Sequence, residues 1–138
     1  MRTCLVDTGP FVSYLDREDT THVDVADFLN NFKGRLTTTG AVIGEVMYFI
    51  SELPYGPVSF AEFLIASQTH IVPLTASREV LSAAELMHRY RDTPMDFADA
   101  TLVLLSEQTG TTEILTLDRR GFSTYRTAKG KAFSLVLR

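Results

Sequence analysis

Thr3-Cys4-Leu5-Val6-Asp7-Thr8-Gly9-Pro10 is a short apolar run, then an acid, then a turn ending in proline. The apolar part suits a strand buried on both faces of a parallel sheet. Pro10 suits the first turn of a helix running to about Leu15. The same alternation continues downstream. Thr20 or Thr21 is placed to cap a helix whose apolar set is Val23, Ala26, Phe28, Leu29 and Phe32, with Gly34 as its stop. Leu36-Thr37-Thr38 reads as a second strand. Residues 41–53 read as a helix with Val42, Val46, Phe49, Ile50 and Leu53 on one face. Pro54-Tyr55-Gly56-Pro57 breaks the chain, and Phe60, Phe63 and Leu64 mark another helix. A strand over 70–74 precedes a helix capped by Ser77, with Glu79 in its first turn. Residues 96–109 form the next helix, ended by Gly110, and strands follow over 113–117 and 133–137. Such alternation predicts an α/β fold with a parallel sheet flanked by helices on both sides.

The 138 residues suit one domain spanning 1–138, long enough to bury a core without disulfides or structural metal. Apolar content of 45% and charged content of 22% are ordinary for a globular protein. A net charge of −4 argues against a bulk-basic nucleic-acid binder. The charge is uneven, however: from Arg119 onward the chain carries Arg119, Arg120, Arg126, Lys129, Lys131 and Arg138 and no acid. Cys4 is the only cysteine, which leaves no intrachain disulfide and no cysteine-rich zinc site. The first residues lack the apolar core of a signal peptide, and no run approaches a membrane span, so the chain reads as cytoplasmic.

Four carboxylates stand at or beside apolar segments: Asp7, Glu45, Asp99 and Asp118. Acids are rarely buried without a partner, and an unpaired buried charge is very costly. Asp7 and Asp118 each follow a strand-like run, which places them at the sheet edge where α/β folds build their sites. Asp96 and Asp99, three apart at a helix start, share a face, and Glu45 lies on a helix that can cover the same edge. Converging carboxylates repel, and a hard divalent cation, Mg²⁺ or Mn²⁺, removes that penalty. The chemistry that matches is phosphodiester hydrolysis, with the basic segment from Arg119 and Arg120 to Lys131 able to hold flanking phosphates. Each acid also has an ordinary structural reading. Asp96 is a good helix cap, Asp99 complements a helix dipole, and Asp7 and Asp118 suit turns. Their joint placement is what favours a site. His22, His70 and His88 show no ligand spacing, and Ser13, Ser51 and Ser106 lack a nucleophile elbow. The glycines form no phosphate loop or dinucleotide fingerprint. Tyr14, Phe49, Phe60 and Phe63 read as core or interface rather than base-stacking platforms.

With these residues in place, the chain resembles a PIN-domain ribonuclease of the VapC-like toxin group. The resemblance rests on Leu5-Val6-Asp7-Thr8-Gly9-Pro10, Val42-Ile43-Gly44-Glu45-Val46, Pro94-Met95-Asp96-Phe97-Ala98-Asp99-Ala100 and Leu115-Thr116-Leu117-Asp118-Arg119-Arg120-Gly121-Phe122, in that order. It implies a PIN-like α/β/α sandwich, Mg²⁺ or Mn²⁺ as cofactor, and endonucleolytic cleavage of RNA. Asp7, Glu45 and Asp99 match the family's three central acids, Asp118 the more variable fourth, Asp96 an additional acid, and Thr8 a frequent hydroxyl beside the first. Gly121 stands where many relatives carry a further acid. The resemblance also implies a homodimer and a small antitoxin partner, for which the stretch from Met47 to Leu64 offers apolar side chains. A haloacid-dehalogenase-type phosphatase needs a second acid where this chain has Gly9. A receiver-like module needs paired acids after the first strand and a late strand-end lysine, neither of which is present. A non-catalytic PIN-like RNA- or protein-binding module is the alternative that keeps the fold.

Overall fold

A computed structural model describes residues 1–137. Five strands form one sheet: β1 (Thr3–Val6), β2 (Arg35–Thr39), β3 (His70–Val72), β4 (Glu113–Leu115) and β5 (Ser134–Leu135). Their order is β3-β2-β1-β4-β5, and every pairing between them is parallel. Helices join them: α1 (Thr8–Leu15), α2 (His22–Asn31), α3 (Gly40–Ile50), α4 (Gly56–Ala66), α5 (Ser77–Arg89), α6 (Phe97–Thr109) and α7 (Arg119–Thr124). The result is the expected α/β/α sandwich. β1 sits at its centre, with Cys4, Leu5 and Val6 fully buried between β2 and β4. This is why the opening run is apolar at successive positions instead of alternate ones.

The chain leaves β1 for β2 on one side and returns to β4 on the other. The sheet order therefore reverses direction between β1 and β4, and a crevice opens beyond their carboxyl ends. Core packing around this frame is aromatic. Phe11 on α1 meets Phe60 on α4 edge-on at 5.1 Å, and Phe122 on α7 meets Tyr125 in the same way.

Several local expectations give way. The Thr21 hydroxyl does not cap α2, because it is held by Ser13 (2.7 Å) and Asp19 (2.7 Å). α2 ends at Asn31, before Gly34. Ser77 is the first residue of α5, not its cap; the Glu79 carboxylate takes the exposed Ala76 N–H at 3.0 Å instead. β4 stops at Leu115 and not at 117, since Thr116 turns its hydroxyl toward Asp7. α7 has no counterpart in the sequence reading, because Arg119-Arg120-Gly121 shows no apolar period. Phe49 leaves the buried stripe of α3 and is 57% exposed, while Val42, Val46 and Ile50 are fully buried.

Candidate active site

Asp7 extends β1 by one residue: its N–H donates to the Leu115 carbonyl at 3.0 Å. It is only 6% exposed. One carboxylate oxygen accepts from the Thr8 N–H (2.8 Å) and the other from the Thr116 hydroxyl (2.7 Å). That same hydroxyl accepts from the Asp118 N–H (3.0 Å), so Thr116 ties the ends of β1 and β4 together. Burial pushes the Asp7 carboxyl up to about 6 against the pull of its two hydrogen bonds, and Asp96 and Asp118 push it the same way.

α6 begins with a reciprocal cap. Asp96 accepts from the Asp99 N–H at 2.8 Å, and Asp99 accepts from the Asp96 N–H at 3.1 Å. Asp99 is half-buried, and burial, then Asp7 and Asp96, drive its carboxyl up to about 8. Asp118 caps α7 through the Gly121 N–H at 3.0 Å. A Cβ at Gly121 would collide with the Asp118 carboxylate and crowd the Tyr125 ring, so glycine lets α7 fold tightly around its capping acid. Glu45, half-buried on α3, is raised by burial and by nearby Asp96. The structural and functional readings of these acids thus coexist. Asp7, Asp96, Asp99 and Asp118 each commit an oxygen to a helix start, and the N-terminal ends of α1, α6 and α7 converge.

A chain of hydroxyls fixes the remaining geometry. The Thr101 hydroxyl donates to the Ala98 carbonyl (2.7 Å), so the Thr39 hydroxyl, 2.8 Å away, is the donor to Thr101. Thr39 accepts in turn from the Val42 N–H (3.3 Å). The start of α3, which carries Glu45, is thereby pinned to the start of α6, which carries Asp99.

Asp7, Thr8, Glu45, Asp96, Asp99 and Asp118 all line one open pocket of about 540 Å³. Val12, Phe49 and Leu117 form apolar walls, and Asp19 stands among its lining residues. No Lys, Arg or His lines it among the described residues. A larger groove of about 760 Å³ between α1, α2 and α4 contains none of these acids. Neither Arg119 nor Arg120 lines the acid pocket: both are exposed, and Arg119 faces a separate groove with Ser123, Phe133 and Leu135. Arg126 is committed to the Ser123, Thr124 and Tyr125 carbonyls at the end of α7. Sequence reasoning missed Thr116, Phe49 and Leu117. Phe49 stands one turn beyond Glu45, a signal absorbed by the apolar stripe, and Thr116 stands two residues before Asp118.

The donor set fits a hard divalent cation. It is all oxygen, it is anionic, and among the described residues no side-chain cation lines the pocket to balance it. The Thr8 hydroxyl is buried in the same pocket wall, where it pulls the Glu45 carboxyl down against the upward push of burial. Among the described residues no three acids stand close enough to grip one ion as they are.

The PIN domain family matches residues 4–128. This chain is a PIN domain. It is 26% identical over 133 residues to Ribonuclease VapC26 of Mycobacterium tuberculosis, covering 96% of this chain and 98% of the relative. The PIN domain also superposes on the crystal structure of Mycobacterium tuberculosis VapC20, described as a sarcin-ricin loop cleaving toxin. The TM-score is 0.76 at 18% identity, over 87% of this chain and 92% of that one, a likeness of fold. No helix among the described residues of this PIN domain is long and apolar enough to cross a membrane.

Proposed function

We propose that this protein is a Mg²⁺- or Mn²⁺-dependent endoribonuclease, the toxin of a toxin–antitoxin pair. The observation that carries the reading is the convergence of Asp7, Glu45, Asp96, Asp99 and Asp118 on one pocket that no Lys, Arg or His lines among the described residues. Family membership and the likeness to Ribonuclease VapC26 support it. Asp7, Glu45, Asp96 and Asp99 would hold the ion, one or two of them directly and the others through its waters, and Asp118 would hold it or orient water with its uncapped oxygen. A bound ion would supply Lewis acidity, which would make water a nucleophile near neutral pH and offset charge on the scissile phosphate. The Thr8 hydroxyl is placed to donate to water or to a phosphate oxygen. Thr116 keeps the Asp7 carboxylate oriented. Arg119 and Arg120 would meet phosphates outside the pocket, along α7. Tyr48, Tyr55, Val58 and Ile65, all exposed on or beside α3 and α4, support a second copy and an antitoxin as protein partners.

The test is cleavage of messenger, transfer and ribosomal RNA by the purified, partner-free protein with Mg²⁺, with Mn²⁺ and with chelator. Asp99→Asn is prepared in the same way. Metal-dependent cleavage lost in the variant is the expected result. Cleavage that survives both chelation and the substitution would sink the reading.

A further inference from the structure

We infer that Phe49 is a stacking platform for the RNA base beside the scissile phosphate; the inference rests on the nuclease reading above. Phe49 lies four residues after Glu45 on α3, so the two side chains are neighbours on one helix face. Both line the acid pocket, and Phe49 as a residue is 57% exposed. Its edge-on contact with Tyr48, at 5.5 Å between centroids, steadies the ring without covering it. An aromatic face has no use for a hydrated cation or a phosphate oxygen. It does suit the flat face of a base carried by a nucleotide whose phosphate lies at the acids.

Charge alone would repel RNA from the acid pocket. The pocket offers no Lys or Arg to a polyanion among the described residues. Affinity close to the cleavage point must then come from the metal and from uncharged contacts. Base–aromatic stacking is the uncharged contact that accepts any base. Leu117 and Val12, the other apolar walls, would border the same nucleotide without specifying it.

Full-length protein in an Asp99→Asn background, which blocks turnover, is titrated with a short random-sequence single-stranded RNA. It is titrated in parallel with a ribose-phosphate chain of the same length lacking bases. Phe49→Ala is expected to weaken binding of the RNA about 5- to 150-fold. Binding of the baseless chain should not change. Phe49→Trp should keep RNA affinity, and Phe49→Leu, which stays apolar but cannot stack, should not. Equal losses on both chains, no loss on either, or no RNA binding at all would overturn the inference. So would a Phe49→Ala protein whose sedimentation shows a broken dimer and whose RNA loss disappears at protein concentrations that restore it, since the ring would then be a protein contact. The two readings fail separately. Cleavage with no dependence on Phe49 removes only the platform, and Phe49-dependent binding by a wild-type protein that never cleaves removes only the nuclease.

Discussion

Glu113 opens β4, and Asp7 follows the neighbouring β1, so the two acids mark opposite ends of the same strand pair. At the Glu113 end the charge is answered. Arg2 donates to both carboxylate oxygens at 3.0 Å, and its guanidinium lies 5.0 Å from the centre of the Phe32 ring. That is the one salt bridge among the described residues. At the other end six carboxylates line one pocket, and among the described residues no Lys, Arg or His lines it with them. Their neighbours are helix N-termini and hydroxyls, which orient and partly stabilise the charge without neutralising it. The difference separates an acid that the chain neutralises itself from acids that it leaves charged, the contrast on which the proposed cation rests.

The sharpest way to break this contrast is Asp99→Asn. Substituting a residue that only supports a metal ligand costs about 10- to 100-fold in activity. Losing the ligand itself should therefore cost at least about 100-fold in cleavage. The metal-free variant should melt no lower than wild type at alkaline pH, because one repelling charge is gone. A variant that cleaves normally, or that unfolds when metal-free, would contradict the assignment.

Next comes pH. The Asp7 and Asp99 carboxyls titrate higher in the folded chain than unfolded carboxyls near 3.8. Their contribution to stability is therefore complete below that range and is lost as pH rises through about 6 and then about 8. For buried Asp7 the loss is about 3 kcal/mol. Thermal melts of metal-free protein should fall from pH 4 to pH 9, and Mg²⁺ or Mn²⁺ should restore most of the drop at the alkaline end. A flat profile in chelator would show that the acids are already balanced.

Thr116→Val leaves one Asp7 oxygen without its donor, and cleavage should drop about 10- to 100-fold while the fold persists. Wild-type rates in that variant would remove Thr116 from the site. Gly121→Ala should displace Asp118 and lower activity by less than Asp99→Asn does, with little change in circular dichroism. Arg2→Ala should do least, leaving cleavage unchanged and shifting the thermal midpoint slightly, by an amount that shrinks in high salt.

Legibility followed locality. The strand of Thr3–Val6, the paired cap of Asp96 and Asp99, and the stop at Gly110, which takes the left-handed conformation at φ 76°, could all be read directly. Each depends on residues a few positions apart. The same local rules found Thr21 as the cap residue of α2 but not that its hydroxyl is drawn to Ser13, eight residues earlier, and they placed the cap of α5 one residue late, at Ser77 instead of Ala76. They also set Phe49 on the apolar stripe as core or interface, and it is exposed. A helical stripe shows which side chains share a face, and only the packing of neighbouring helices shows how wide the buried face is.

By itself the sequence determined an alternating α/β chain and a parallel sheet. It also determined the set of acids that strand ends and helix starts would present, since periodicity, turn chemistry and capping act over a few residues. Tertiary structure alone decided that Thr116, 109 residues away, completes Asp7, that no cation enters the pocket among the described residues, and that Phe49 opens onto it. Those facts come from strand order. Placing β4 beside β1 makes neighbours of residues that no local pattern connects.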